Sequence, residues 1–580
     1  MYSVSSSPAK TMWPQTLETK NGRPPLKIVF QNPQEAKLTP PSSLSHSTGS
    51  PKCTPTLTQK PTNPINTLAS LLATLANKLI SNPPLHPSVD PDFVLTGNFS
   101  PVNETPPTEC LVVEGELPPS LNGVYIRNGP NPQHQPHGPY HLFEGDGMLH
   151  SIMLSQGHAT YCSRFLKTYK YKLEHQTGSP MIPNFFSGFY GLRDLGPGIV
   201  ALGRAMMGQI SLTQGMGTAN TSINFFHNTL FAMVEHDLPF AIRVTREGDI
   251  ETIGRHDFDG KAPVNMTAHP KIDEETGEVF AFQCFPVKPY LTYFRFDPNG
   301  CKEKDVPIFS MNSPTFVHDF GITKKYAIFP DTALEMAPME LMSFGGMPVR
   351  CRPKVPRIGI INRYATFDSQ MRWFEVPGFN ALHIINAWED DQSRITIVAT
   401  NILNIDKVHF FHNLDKIHFS LEKLTIDMKT GEITRTILSE RSLEFGSTNP
   451  SYAGKKNRYV YMAVDPQGPK MSGVVKIDLE LGCEVAFRSY GDGCFGGEVM
   501  FVRRDTNNEV EWDEDEGFVV SYVHNERGNE TRFVVMDAKS PTLDILAAVK
   551  LPGRVPYGFH GIFLGEKELQ MSCSHSKLVF

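Results

Sequence analysis

A chain of 580 residues, 40% of them hydrophobic, has ample material for a large core, and its net charge of −7 at pH 7 excludes the basic footprint of a nucleic-acid binder. Nine cysteines lie scattered from Cys53 to Cys573 without a Cys-x-x-Cys pair, so neither a disulfide framework nor a zinc ribbon is indicated, and a reducing compartment fits best. Asn-x-Ser/Thr sites such as Asn98 and Asn220 carry no weight, because the N-terminus lacks the charged-then-apolar pattern of a secretory signal.

Before Asp90 only Glu18 and Glu35 are acidic, against eight Lys and Arg, in a stretch crowded with Ser, Thr and Pro. Such a composition cannot bury a core; it fits an organelle transit peptide or a plain disordered tail. Within "TNPINTLASLLATLANKLISNPP", residues 62–84, Ile65, Leu68, Leu71, Leu72, Leu75 and Leu79 recur at helical spacing, and Pro83 and Pro84 end the run. The spacing predicts a short amphipathic helix, too short to cross a bilayer, which docks on the domain or lies in a membrane interface. The chain thus divides into a leader at 1–60, the helix and a linker at 61–89, and a domain at 90–580.

Past residue 110 the pattern is one of short β-rich runs closed by turn residues: "GVYIRNG", "EVFAFQCF", "YLTYFRF", "RITIVATN", "RYVYMAV", "GVVKIDL", "GFVVSYV". An all-β fold follows. Turns with glycines at 248, 300, 431 and 482 give gaps of 52, 131 and 51 residues. Two gaps match the roughly 50-residue period of some propeller blades, the third holds two or more blades with insertions, and a β-propeller is favoured over a sandwich. Met- and Gly-rich regions at 181–209 and 336–347 read as loop or helical insertions capping one face.

"GDGCFG", residues 491–496, satisfies G-x-G-x-x-G, but a strand pattern follows where a dinucleotide site needs a helix N-terminus. Signatures of P-loop, zinc-protease and serine-hydrolase sites are absent. Among 20 histidines, His150, His227, His269, His318, His383, His409, His524 and His560 lie in apolar, strand-like settings. Most buried histidines are hydrogen-bonded core residues. Ligands on a propeller axis come from separate blades, so spacing does not choose among the eight.

The segments "TAHPKIDEETGE", "FVHDFGITKKYAIFPD", "VPGFNALHIINAWED", "FGGEVMFV" and "RVPYGFHGIF" closely resemble the plant carotenoid cleavage dioxygenases, and "GRHDFDGK" with "MDAKSPTLDILAAV" resembles their class-four plastid branch. The resemblance runs from about residue 95 to the end. It implies a seven-bladed β-propeller holding one non-haem Fe(2+) on four histidines, which match His269, His318, His383 and His560, with O2 as co-substrate. Four neutral imidazoles leave two of six positions open, where the common facial triad has a carboxylate and three. The resemblance further implies glutamates accepting the far ring N–H of three of these histidines, His269 excepted; the matching residues are Glu235, Glu444 and Glu498. Glu144, in "FEGDGMLH", stands where the family usually has aspartate.

The activity implied is insertion of both atoms of O2 across a conjugated double bond of a carotenoid in a plastid, in peripheral contact with a membrane or plastoglobule and without nucleic acid. Cleavage at 9,10 and 9′,10′, releasing a C13 ionone-type ketone, leads. The alternatives are 7,8 (7′,8′) cleavage, cleavage of apocarotenoids, action on 9-cis-epoxycarotenoids, and a non-catalytic carotenoid-binding propeller.

Overall fold

In the strand Val279–Cys284, Val279 and Ala281 point into one hydrophobic core while Phe280 and Phe282 point into another. A strand apolar on both faces sits between two sheets, which is why "EVFAFQCF" reads as a continuous apolar run. The computed structural model describes residues 85–575, apart from 86, 137, 188–200, 202, 262–263, 338–348, 404, 406–416, 467, 469 and 505–512.

The first of five four-stranded antiparallel sheets comprises Ser222–Phe226, Thr229–Met233, Phe240–Val244 and Ile250–Arg255. The second comprises Lys271–Ile272, Val279–Cys284, Leu291–Phe296 and Val306–Pro307, and the third Gly321–Ile322, Tyr326–Asp331, Arg357–Asn362 and Arg372–Glu375. The fourth comprises Ala381–Glu389, Arg394–Leu403, His418–Asp427 and Ile433–Ile437, and the fifth Leu443–Ser447, Tyr459–Val464, Gly473–Asp478 and Cys483–Ser489.

The remaining large sheet has ten strands. The C-terminal strand Gly561–Gly565 pairs with Gly123–Asn131, and Thr105–Gly115 pairs with His158–Phe165 through its first half and with Ile545–Lys550 through its second. N-terminal strands thereby join C-terminal ones. Shared cores link neighbouring sheets in chain order: Leu149 with Ile223, Phe231 with Phe294, Tyr293 with Phe329, Ile360 with Ile397, Val398 with Val460, and Val474 with Val519. A further core, with Tyr125, Ile152, Phe533 and Val549, lies between the two halves of the ten-stranded sheet and closes the ring.

The fold is all-β and propeller-like. Seven separate blades are not what the sheets show, however: among the described residues five four-stranded sheets are independent, Leu334–Met336 pairs with Val349–Cys351 in a two-stranded sheet, and ten strands form one continuous sheet because Thr105–Gly115 pairs with a strand of each half. The glycines at 248, 300, 431 and 482 all lie between the third and fourth strands of a sheet, with φ of +69° to +83°, a conformation that favours glycine. The third sheet lacks such a glycine, which accounts for the 131-residue gap. The leader, the helix proposed at 65–80 and parts of both predicted insertions lie outside the described residues. Among the described residues, no helix is long and apolar enough to cross a membrane.

Candidate metal centre and its cavity

Met266 and Ala268 are sealed in the core between the first and second sheets, so alternation turns His269 to the other side, and Pro270 follows where the short edge strand Lys271–Ile272 begins. His318 lies just before Gly321–Ile322, His383 within Ala381–Glu389 and His560 just before Gly561–Gly565. Each histidine thus lies within or just before the edge strand of a different sheet. The pairing of Ala381–Glu389 shifts register between Ala381 and Ile384, an irregularity that re-aims His383.

One ligand-capable nitrogen from each of His269, His318, His383 and His560 lies within 4.8 Å of the others. His318 Nε2 stands 3.1 Å from both His269 Nε2 and His383 Nε2. His318 Nδ1 is 2.7 Å from Glu235 Oε1, His383 Nδ1 is 2.9 Å from Glu444 Oε2, and His560 Nδ1 is 2.8 Å from Glu498 Oε1. A carboxylate there accepts a hydrogen bond from Nδ1–H, which fixes the tautomer whose Nε2 lone pair faces inward. No glutamate pairing of this kind involves His269 among the described contacts.

Burial, and then the neighbouring imidazoles and Lys271, push the His269 pKa well below its ordinary value. Burial also lowers that of His383, against the pull of Glu444. Burial lowers that of His560 too, but Glu498, with Glu444 and Asp319, outweighs it and leaves the pKa raised. Burial opposes ionisation of Glu444, but His383, the Thr400 hydroxyl at 2.6 Å and the Phe445 N–H hold its carboxyl at about 2.

Inward lone pairs 3.1 Å apart repel unless a cation lies between them. Two nitrogens cis on one ion, each ~2.1 Å from it, stand ~3.0 Å apart. The donor set therefore fits a metal ion. Asp319, which sequence reasoning passed over, links these strands: its carboxylate takes the Lys271 ammonium at 2.7 Å and the Ile384 N–H at 2.8 Å. Its only signal in the sequence is its place directly after His318.

The centre opens on a cavity of about 880 Å³ lined by Phe143, Phe186, Phe316, Phe445, Phe559, Leu382 and other mainly apolar residues. Phe445 has φ +50°, a strained conformation for a bulky residue, and its ring lies 5.4 Å from that of His560.

The family described as retinal pigment epithelial membrane protein matches residues 98–565. The chain belongs to this family, which takes in the carotenoid cleavage dioxygenases. "Probable carotenoid cleavage dioxygenase 4, chloroplastic" of Arabidopsis thaliana is 54% identical over 519 residues, 87% of each chain. "9-cis-epoxycarotenoid dioxygenase NCED1, chloroplastic" of Oryza sativa subsp. japonica is 50% identical over 87% of this chain and 80% of its own. The crystal structure of lignostilbene dioxygenase from Pseudomonas brassicacearum superposes with a TM-score of 0.70 at 22% identity, over 81% of this chain and 98% of that one, a likeness of fold.

Other histidines singled out in this carotenoid oxygenase chain serve elsewhere. His150 Nδ1 meets the Tyr161 hydroxyl at 2.8 Å, His227 Nε2 the Asp297 carbonyl at 3.0 Å, and His524 Nδ1 the Thr531 hydroxyl at 2.9 Å. His409 lies outside the described residues. "GDGCFG" ends in the short strand Cys494–Phe495, with no helix to meet a pyrophosphate.

Proposed function

We propose that the chain is a plastid non-haem iron(II) dioxygenase that cleaves a conjugated double bond of a carotenoid, with the 9,10 and 9′,10′ bonds first among the candidates. The observation that carries the reading is the convergence of four imidazole nitrogens on an apolar cavity large enough for a polyene. His269, His318, His383 and His560 are the residues to hold the iron; Glu235, Glu444 and Glu498 supply the negative charge that neutral imidazoles lack. When bound, iron supplies the redox chemistry that lets ground-state dioxygen react with an alkene.

The chain's own residues do the rest. The apolar walls take the polyene out of water and align it, while the three carboxylates keep each Nδ1 proton in place. The overall reaction breaks one C=C and the O–O bond and forms two C=O bonds, oxidising both carbons and reducing O2, so no external reductant is needed. A methyl-bearing carbon leaves as a ketone and a hydrogen-bearing one as an aldehyde, giving a C13 ionone-type ketone.

Residues 1–60 serve as the transit leader, 61–89 as amphipathic helix and linker, and 90–580 as the catalytic domain. We count the ten-stranded sheet as two blades joined through Thr105–Gly115, making seven; the core between its two halves supports this. The acid-poor leader and the relatives named chloroplastic support the plastid assignment. The helix at 65–80 brings the cavity to the lipid, membrane or plastoglobule, in which carotenoids dissolve.

A second reading, action on 9-cis-epoxycarotenoids, draws on the rice relative. The test is to incubate purified, iron-loaded protein with carotenoids, 9-cis-epoxycarotenoids and apocarotenoids, and to identify the products by mass spectrometry. The proposal expects paired carbonyl products from a C40 carotenoid, including an ionone-type ketone. Exclusive turnover of 9-cis-epoxycarotenoids selects the second reading. Recovery of bound, intact pigment overturns both.

A further inference from the structure

Two buried carboxylates beside the cavity take no part in the histidine arrangement. Glu144 Oε1 accepts the backbone N–H groups of Phe186 and, at 3.1 Å, of Ser187. Glu174, on the helix Tyr169–Thr177, accepts the N–H groups of Met181 at 2.9 Å and Ile182 at 3.0 Å through Oε1, and the Lys170 ammonium at 2.6 Å through Oε2. Lys170 also faces Asp146 at 3.6 Å. Residues 181–187 form no helix or strand that would satisfy these amides, so the segment is tied at both ends by side chains.

Between the ties, Pro183, Asn184, Phe185 and Phe186 line the cavity. Phe185 stacks on His236 with ring centroids 4.7 Å apart. Phe186 meets Phe143 edge-on at 5.8 Å, and Phe143 meets Phe559, the neighbour of His560, at 5.3 Å. The tied segment is therefore continuous, ring by ring, with the wall beside the histidines.

We infer that Glu144 and Glu174 are positioning residues: they fix the 181–187 wall and thereby set which double bond of a bound polyene stands at the histidines. The inference rests on the carotenoid reading. An apolar cavity offers a hydrocarbon chain few directional bonds, so its axial position is set by steric stops. Neighbouring double bonds of a polyene are chemically alike, and a small shift of the stop presents a different one. An aspartate at 144, one methylene shorter, would not reach both amides from the same backbone.

The test uses the full chain with Glu144→Ala, Glu144→Asp and Glu144→Gln. Gln retains a side-chain oxygen that accepts both amides; Ala does not. Without added metal, hydrogen exchange followed by mass spectrometry should show the peptide carrying Phe186 and Ser187 exchanging ~10-fold faster in Glu144→Ala and close to wild type in Glu144→Gln. With iron loaded to wild-type content, the ratio of principal to shifted cleavage products should fall ~10-fold in Glu144→Ala, given that a 1 Å misplacement can cost about 100-fold. Glu144→Asp should fall between Ala and Gln. Unchanged exchange, or an unchanged product ratio in iron-replete Glu144→Ala, overturns the inference while leaving the proposed activity standing. If Glu144→Ala does not fold, Glu144→Asp carries the test, and wild-type values in both readouts overturn it. Absence of any cleavage product from the wild type overturns the carotenoid reading itself, and this inference with it.

Discussion

At His560 a single carboxylate orients both the side chain and the backbone of its strand, for Glu498 Oε1 meets the ring Nδ1 and Oε2 accepts the Gly561 N–H. Glu498→Gln preserves an oxygen for one of these contacts and loses the charge. Metal affinity or turnover should fall ~10 to 100-fold in a folded protein, as loss of such a partner typically does. Titrating iron into the purified variant measures it; unaltered affinity would mean the carboxylate only fills space. Glu144 supports a prediction with the opposite sign on stability. Burial pushes its carboxyl up to about 7, against the amides of Phe186 and Ser187 and the charge of Lys170, while an unfolded chain releases the proton near 4.5. Its contribution is thus full below pH 4.5 and is lost as pH rises through 7, by up to about 3 kcal/mol. Glu144→Gln should therefore raise Tm relative to wild type at pH 8 and leave it little changed at pH 5. Little of this is legible locally. His269, His318 and His383 are 49 and 65 residues apart because each belongs to a separate sheet, so they were reached through resemblance, and the glutamate pairings needed the structure.

Strands and turns were far more legible. The runs "EVFAFQCF" and "GFVVSYV" became Val279–Cys284 and Gly517–Asn525, since period-two alternation between two apolar cores is written into the residues themselves. The turn glycines likewise mark one recurring position in four sheets. The pairing of Gly123–Asn131 with Gly561–Gly565 was not legible, because no local pattern joins segments from opposite ends of the chain. Nor was Thr105–Gly115 as the strand that merges two groups of strands into one. Gly115 tests its importance: a Cβ there, at φ +63°, would stand 1.9 Å from the Leu546 carbonyl oxygen. At Gly431, also left-handed, nothing lies within 4 Å. Gly431→Ala should cost about 1 to 2 kcal/mol from backbone conformation alone, and Gly115→Ala about 1 to 3 kcal/mol more from the overlap. Thermal unfolding of the two variants checks the difference; equal losses of Tm would show that the join tolerates displacement.

For the whole molecule, ring closure places four edge strands around one centre, and the apolar cavity gives that centre access to a water-insoluble substrate. The proposed delivery of that substrate by the helix at 65–80 has a direct test. Leu71, Leu75 and Leu79 changed to Glu should release the protein from liposomes and spare activity on detergent-dispersed carotenoid, since burying each leucine contributes up to about 1.5 kcal/mol or more. Unchanged liposome binding would assign the helix to docking on the ring. The central claim, that the four histidines are one metal centre, is tested most directly by the iron bound per chain in wild type, His383→Ala and His524→Ala. His524 is a buried strand histidine whose hydrogen bond to Thr531 keeps it apart from the cluster. The account predicts one iron in wild type and in His524→Ala, and background iron in a folded His383→Ala; retention of iron by His383→Ala, or equal loss in both variants, would contradict it.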